Sequence, residues 1–133
     1  MARILVIDDD PSAVLFISNV LEEHGHSVTT ALNGLAGMQA FDGAKIDLVI
    51  TDIVMPVQEG LATIMAIRRQ DASLPILAIS GRRLAGKVGD YDYLHLAMSL
   101  GAGAALEKPL SVELLVSTVE RLLDRPVDKA PLL

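Results

Sequence analysis

The 133-residue chain contains no cysteine and no tryptophan, and only two phenylalanines and two tyrosines. Without cysteine there can be no disulfide, no thiolate metal site and no cysteine nucleophile. With so few aromatic rings the interior has to be built from Val, Ile, Leu, Ala and Met, which suits layered sheet and helix proteins. Basic residues form no long block: eleven Lys and Arg stand against seventeen Asp and Glu, a net charge of −6. A broad cationic face for a nucleic-acid backbone is therefore not expected. The small group Arg68, Arg69, Arg82, Arg83 and Lys87 reads as solubilising charge on loops and helix ends. No apolar run approaches the ~18 residues of a membrane span, and no basic flank, apolar segment and small-residue cleavage site open the chain. The expectation is a cytoplasmic protein of one domain, with no membrane insertion and no direct nucleic-acid binding.

What is present is a series of short apolar runs, each ending on a polar residue. Ile4-Leu-Val-Ile7 runs into Asp8, Asp9 and Asp10, and Leu48-Val-Ile50 runs through Thr51 into Asp52. Ile76-Leu-Ala-Ile79 stops at Ser80, and Ala104-Ala-Leu-Glu107 leads to Lys108-Pro109. Runs of this length, bounded by Gly and Pro, predict strands buried on both faces of a parallel sheet. A more polar run, His26 to Ala31, predicts a strand at the sheet edge.

Helical spacing fills the gaps. Pro11 and Ser12 open a helix to about Glu23, ended by Gly25. A short helix follows Asn33-Gly34, another runs from about Leu61 to Arg69, and a third covers about 90 to 100 after a loop at 81 to 89. Ser111 caps the last helix, which Pro126 stops. Five strands alternating with five helices predict an α/β fold: one doubly wound, five-stranded parallel sheet covered on both faces. His24, His26 and His95 are too scattered for a metal site and read as surface or satisfied core residues.

Open α/β sheets hold their ligands at the carboxyl ends of the strands. There the chain places Asp8, Asp9, Asp52, Ser80 and Lys108. Taken alone, Asp52 has a helix-capping acid as its lesser, alternative reading. Taken together, three carboxylates repel unless a cation neutralises them, and oxygen-only ligands select a hard ion such as Mg2+. A fixed ammonium, Lys108, and a hydroxyl, Ser80, suit an anion of phosphate size. A carboxylate nucleophile, a metal and donors for phosphoryl oxygens are the parts of phosphoryl transfer to aspartate.

These stretches, with Asp47-Leu-Val-Ile-Thr-Asp-Ile-Val-Met-Pro56, Gly60 and Gly101-Ala-Gly-Ala-Ala-Leu-Glu-Lys-Pro109, resemble the receiver domain of two-component response regulators, the CheY-like superfamily. The resemblance covers residues 1–125, leaving 126–133 as a C-terminal tail. It implies a flavodoxin-like strand order 2-1-3-4-5. It further implies phosphorylation of Asp52 by a histidine kinase or histidine phosphotransfer protein, with the signal passed by onward transfer or by binding a downstream protein target. Mg2+ would be held by Asp8, Asp9, Asp52 and the Val54 carbonyl. Lys108 would pair with the phosphoryl group, Ser80 would act as the switch hydroxyl, and the Lys108-Pro109 peptide would be cis. Such a domain catalyses its own phosphorylation and dephosphorylation and is not an enzyme turning over a small substrate. Relay transfer would dock a histidine-bearing helix near Val14, Leu15 and Pro109.

Two features depart from the family pattern. Ala105 stands where members usually carry an aromatic residue, and the segment from Ser80 to Lys108 is longer than usual, with Tyr91 or Tyr93 as a replacement moving part. Val54 and Arg82 stand at positions that, by the resemblance, flank the path of a hydrolytic water, and an apolar Val54 there implies slow loss of phosphate. An alternative from another class is a Mg2+-dependent haloacid-dehalogenase-type phosphatase, with Asp8 as nucleophile and Asp10 as acid/base. That reading leaves Asp52 unexplained, whereas the receiver reading leaves Asp10 a helix cap or solvated acid.

Overall fold

The computed structural model describes residues 1–42, 45–53, 60–81 and 93–124. Five strands, β1 (Arg3–Ile7), β2 (Ser27–Ala31), β3 (Leu48–Asp52), β4 (Ile76–Gly81) and β5 (Ala104–Lys108), form one parallel sheet in the order β2-β1-β3-β4-β5. Five helices occur among the described residues: α1 (Pro11–Glu23), α2 (Gly34–Asp42), α3 (Gly60–Gln70), α4 (Tyr93–Ser99) and α5 (Val112–Leu123). The polar strand β2 is the edge strand that its composition predicts. The helix expected over 90–100 is seen as α4, with 82–92 outside the described residues.

Strand alternation divides the interior into two cores. Ile4, Val6, Leu48, Ile50, Leu77 and Ile79 face α1 and α5, where Ile17, Leu21, Leu115 and Val119 meet them. Leu5, Ile7, Val49, Ile76 and Ala78 face the other layer, with Ile64 and Ile67 of α3 and Ala97 of α4. Every residue of β3 is buried, as a central strand covered on both faces requires.

Local chemistry sets the helix starts. Asp10 accepts the Ser12 N–H at 3.0 Å and precedes Pro11 in the first turn of α1, so it is the helix cap. Asn33 Oδ1 accepts the Ala36 N–H at 2.8 Å, and Ser111 Oγ accepts the Leu114 N–H at 3.0 Å. Gly25 follows α1 at φ +91°, a left-handed conformation that glycine enters without steric cost.

Gly60 starts α3 so close to β3 that a Cβ there would collide with the Asp52 carbonyl oxygen and the Ile53 Cα. At the far end of α3, the Arg68 guanidinium donates to the Asp71 carbonyl at 3.0 Å and to the Gly101 carbonyl at 2.7 Å. It thereby ties α3 to the turn between α4 and β5.

Candidate phosphoacceptor site

Because the strands are parallel and in register, the ends of β1, β3 and β5 come to one rim of the sheet. Asp8 follows β1 with its side chain fully buried, Asp52 ends β3 nearly as deeply, and Asp9 is exposed. One carboxylate oxygen from each of the three lies within 4.8 Å of the others. Lys108, the last residue of β5, reaches across β4 and places its ammonium 2.7 Å from Asp8 Oδ2 and 3.3 Å from Asp52 Oδ2. Asp8 Oδ1 accepts the Asp10 N–H at 3.0 Å, and the Asp8 N–H donates to the Ala31 carbonyl at 3.1 Å, which fixes this corner.

The ammonium lies between two opposing influences. Burial, the largest single one, pushes its pKa down, but the close approach of the ammonium to the Asp8 carboxylate and the charges of Asp52 and Asp8 together hold it above the usual lysine value. It is therefore a fixed cation at neutral pH. Asp8 Oδ2 is buried, and although the ammonium stands close, the approach is not that of an aligned hydrogen bond.

Three carboxylates with one ammonium carry a formal charge of −2, all donors are oxygens, and one buried oxygen lacks an aligned donor. This set fits a hard divalent cation such as Mg2+.

The structure thus brings together Asp8, Asp9, Asp52 and Lys108. Ser80 is fully buried, and its hydroxyl donates to the neighbouring Gly81 carbonyl at 3.4 Å, longer than an ordinary O–H···O bond. Lys108-Pro109 is cis. The Val54 carbonyl, Arg82 and Tyr91 lie outside the described residues, as does the Tyr93 side chain. Ala105 pairs in register with Ala78 and packs, half-buried, on the core of the α3 and α4 face.

Of the predicted docking residues, Val14 is turned into the interior, because α1 needs that position for its apolar face. Leu15 and Phe16 remain exposed on α1, as do Val112 and Leu114 at the start of α5.

The direct contact of Lys108 with Asp8 carries no signal in the sequence, because the partners are a hundred positions apart. The fit of Gly60 against Asp52 is likewise invisible, although a glycine at a helix start is a reason to look for a close backbone approach.

A cleft of about 580 Å3 opens at the other end of the sheet, lined by residues such as Ala2, His26, Asp47, Pro75 and Glu120. Its central polar groups, His26, Glu120 and Asp47, are already paired. His26 Nδ1 accepts the Ala2 N–H at 3.1 Å, so Nε2 carries the proton and faces Glu120 Oε2 at 2.9 Å. Asp47 Oδ2 accepts the Arg3 N–H at 2.8 Å. It is a packing junction, and of the two readings open to His26, surface or satisfied core, its buried and paired ring is the second.

A family profile described as "Response regulator receiver domain" matches residues 4–120. The transcriptional regulatory protein TcrA of Mycobacterium tuberculosis is 31% identical over 137 residues, covering 98% of this chain and 50% of TcrA. The alkaline phosphatase synthesis transcriptional regulatory protein PhoP of Bacillus subtilis is 31% identical, covering 97% of this chain and 51% of PhoP. The chain spans about half the length of the curated relatives it matches. Among solved structures, a response regulator receiver domain protein from Clostridium thermocellum superposes with a TM-score of 0.84 at 31% identity, covering 96% of this chain and 98% of that one.

Proposed function

From the premise that the chain belongs to the response regulator receiver domain family, we propose that it is the phosphoacceptor of a two-component or phosphorelay system, modified on Asp52. The observation that carries this reading is the Lys108 ammonium held between Asp8 and Asp52, at 2.7 and 3.3 Å, on the rim where the three carboxylates meet. A carboxylate oxygen of Asp52 attacks the phosphorus of a phosphohistidine on a histidine kinase or phosphotransfer protein. The new O–P bond forms as the N–P bond breaks, and the departing imidazole nitrogen takes a proton.

Asp8, Asp9 and Asp52, with the Val54 carbonyl, would hold Mg2+. When bound, the ion neutralises charge on the phosphoryl oxygens. Lys108, whose ammonium stands 3.3 Å from Asp52 Oδ2, would supply a second fixed positive charge to the phosphoryl oxygens of modified Asp52. Ser80 is the switch hydroxyl: its bond to the Gly81 carbonyl is long, so turning toward a phosphoryl oxygen forfeits little. Asp10 has no part in the transfer. As the cap of α1 it is occupied, which removes the acid/base that a phosphatase working through Asp8 needs.

A partner's histidine-bearing helix would dock on exposed Leu15 and Phe16 of α1, beside Pro109 and the start of α5. At Ala105 a methyl group has no rotamer to change, so the readout does not run through an inward-turning ring at this position.

Incubation with a small phosphodonor and Mg2+, followed by intact mass, tests the core of this reading. The expected result is one added phosphoryl group on the wild type and none on Asp52→Asn. Equal labelling of both chains would refute it.

A further inference from the structure

We propose that Thr51 is a positioning residue for Asp52: its hydroxyl clamps the peptide unit that follows the nucleophile and so sets the direction of the Asp52 side chain. The inference deepens the phosphoacceptor reading and rests on it.

Thr51 is a polar residue next to the end of the wholly buried strand β3. Leu48, Val49 and Ile50 before it are fully buried and apolar, and Thr51 itself is fully buried. A buried hydroxyl without a partner is costly, so a threonine here has to spend its donor on something. It donates to the main-chain carbonyl of Asp52 at 2.9 Å. The other end of that same peptide unit is also held, because the Ile53 N–H donates to the Ile79 carbonyl of β4 at 3.0 Å.

The carbonyl is confined from a third side by Gly60, whose Cα stands so near that no Cβ fits between. Three contacts therefore hold one peptide unit, and with it the Asp52 carbonyl carbon, one of the three backbone atoms (N, Cα and C) whose positions set the direction of the Cα–Cβ bond. Beyond Cα only two side-chain torsions separate the backbone from the nucleophilic oxygen. A shift of the carbonyl carbon tilts the Cα–Cβ bond and so displaces that oxygen relative to Lys108 and Asp8. Small misplacements of a reacting atom are enough to lower rates severely. Valine would fill the space of Thr51 equally well and would suit the apolar run better, so the hydroxyl, and not the shape, is what the position uses.

Two variants separate positioning from packing. Thr51→Val keeps the shape and removes the donor. Thr51→Ser keeps the donor and removes a buried methyl. The rate constant of Asp52 phosphorylation is measured at saturating phosphodonor and Mg2+, together with the thermal midpoint and amide hydrogen exchange of Ile53 in Mg2+-free protein.

Positioning predicts that Thr51→Val loses about tenfold in rate while its melting temperature stays near that of the wild type, and that its Ile53 amide exchanges about tenfold faster. Thr51→Ser melts lower yet keeps a rate and an exchange near wild type. The proposal is overturned if Thr51→Val phosphorylates and exchanges like the wild type, or if Thr51→Ser loses as much rate as Thr51→Val. A wild type that takes up no phosphoryl group overturns the phosphoacceptor reading and the positioning role with it, whereas the exchange measurement still reports whether the hydroxyl holds the peptide.

Discussion

Replacing Lys108 by methionine keeps the length of the side chain and removes its charge, and the site geometry says what this should do. At an effective dielectric of about 20, the ammonium gains about 6 kcal/mol from Asp8 at 2.7 Å and about 5 from Asp52 at 3.3 Å. The three carboxylates, within 4.8 Å of one another, repel by about 3.5 kcal/mol or more per pair on the same scale. Exposure of Asp9 to solvent weakens its share. Attraction and repulsion therefore nearly cancel in the metal-free wild type, and Lys108→Met leaves the repulsion uncompensated.

Relaxation and hydration absorb much of that gross term, so the measurable cost is that of breaking a buried ion pair, about 3 to 5 kcal/mol. For a chain of this length it lowers the melting temperature by about 11 to 18 °C. Mg2+ should then rescue the variant. At a hundredfold excess over its dissociation constant a ligand stabilises by about 2.7 kcal/mol, and a cluster at −3 binds a divalent cation more tightly than one at −2. Thermal unfolding with and without Mg2+ checks both parts. A metal-free variant melting within about 3 °C of the wild type, or a larger Mg2+ shift in the wild type than in the variant, would refute the reasoning.

Asp52→Asn removes two repulsive pairs and one attractive one, so metal-free Asp52→Asn should be more stable than the wild type by about 1 kcal/mol in urea unfolding. A loss of stability would mean that the Lys108 contact outweighs the crowding. Gly60→Ala drives a methyl group into backbone and should cost about 3 kcal/mol, whereas Gly37→Ala meets the movable Ile7 side chain and should cost about 1. The reverse order in chemical denaturation would contradict the packing described. The pKa of Lys108 is raised on folding, so its charge contributes stability fully below the unfolded lysine value of about 10.4, and the contribution is lost as pH rises through the higher folded value. The stability difference between wild type and Lys108→Met should accordingly be level from pH 7 to 9 and shrink above pH 10.

Much of the fold is legible in local chemistry. The period and length of the apolar runs give the strands, and the polar character of Ser27 to Ala31 gives the edge. Pro11 after Asp10, Asn33 before Gly34 and Ser111 with Glu113 mark helix starts because a cap satisfies donors within three residues of itself. The strand tips are legible for the same reason: each polar residue directly follows its own run. What sequence spacing cannot carry is distance between runs. Val14 and Leu15 are both apolar neighbours on α1, and only the angle of the helix on the sheet decides that one is core and the other surface. Lys108 is expected near an anion, but its primary contacts are the carboxylates themselves, which depends on how far one side chain reaches over β4. Thr51 reads as a β-branched strand residue, and nothing in its neighbours reveals what its hydroxyl holds.

The reach of Lys108 has a mechanical side. Strands in a sheet are joined to their neighbours by ladders of hydrogen bonds, yet this side chain runs across the ladders and stitches the tip of β5 to those of β1 and β3, over an intervening strand. Neighbouring strands are rotated by about 20 to 25° each, so the three steps from β1 to β5 accumulate a twist of about 60 to 75°. A stitch across that span restrains how far the rim can splay. The position of the ammonium between Asp8 and Asp52 thus bears on the shape of the rim as well as on its charge.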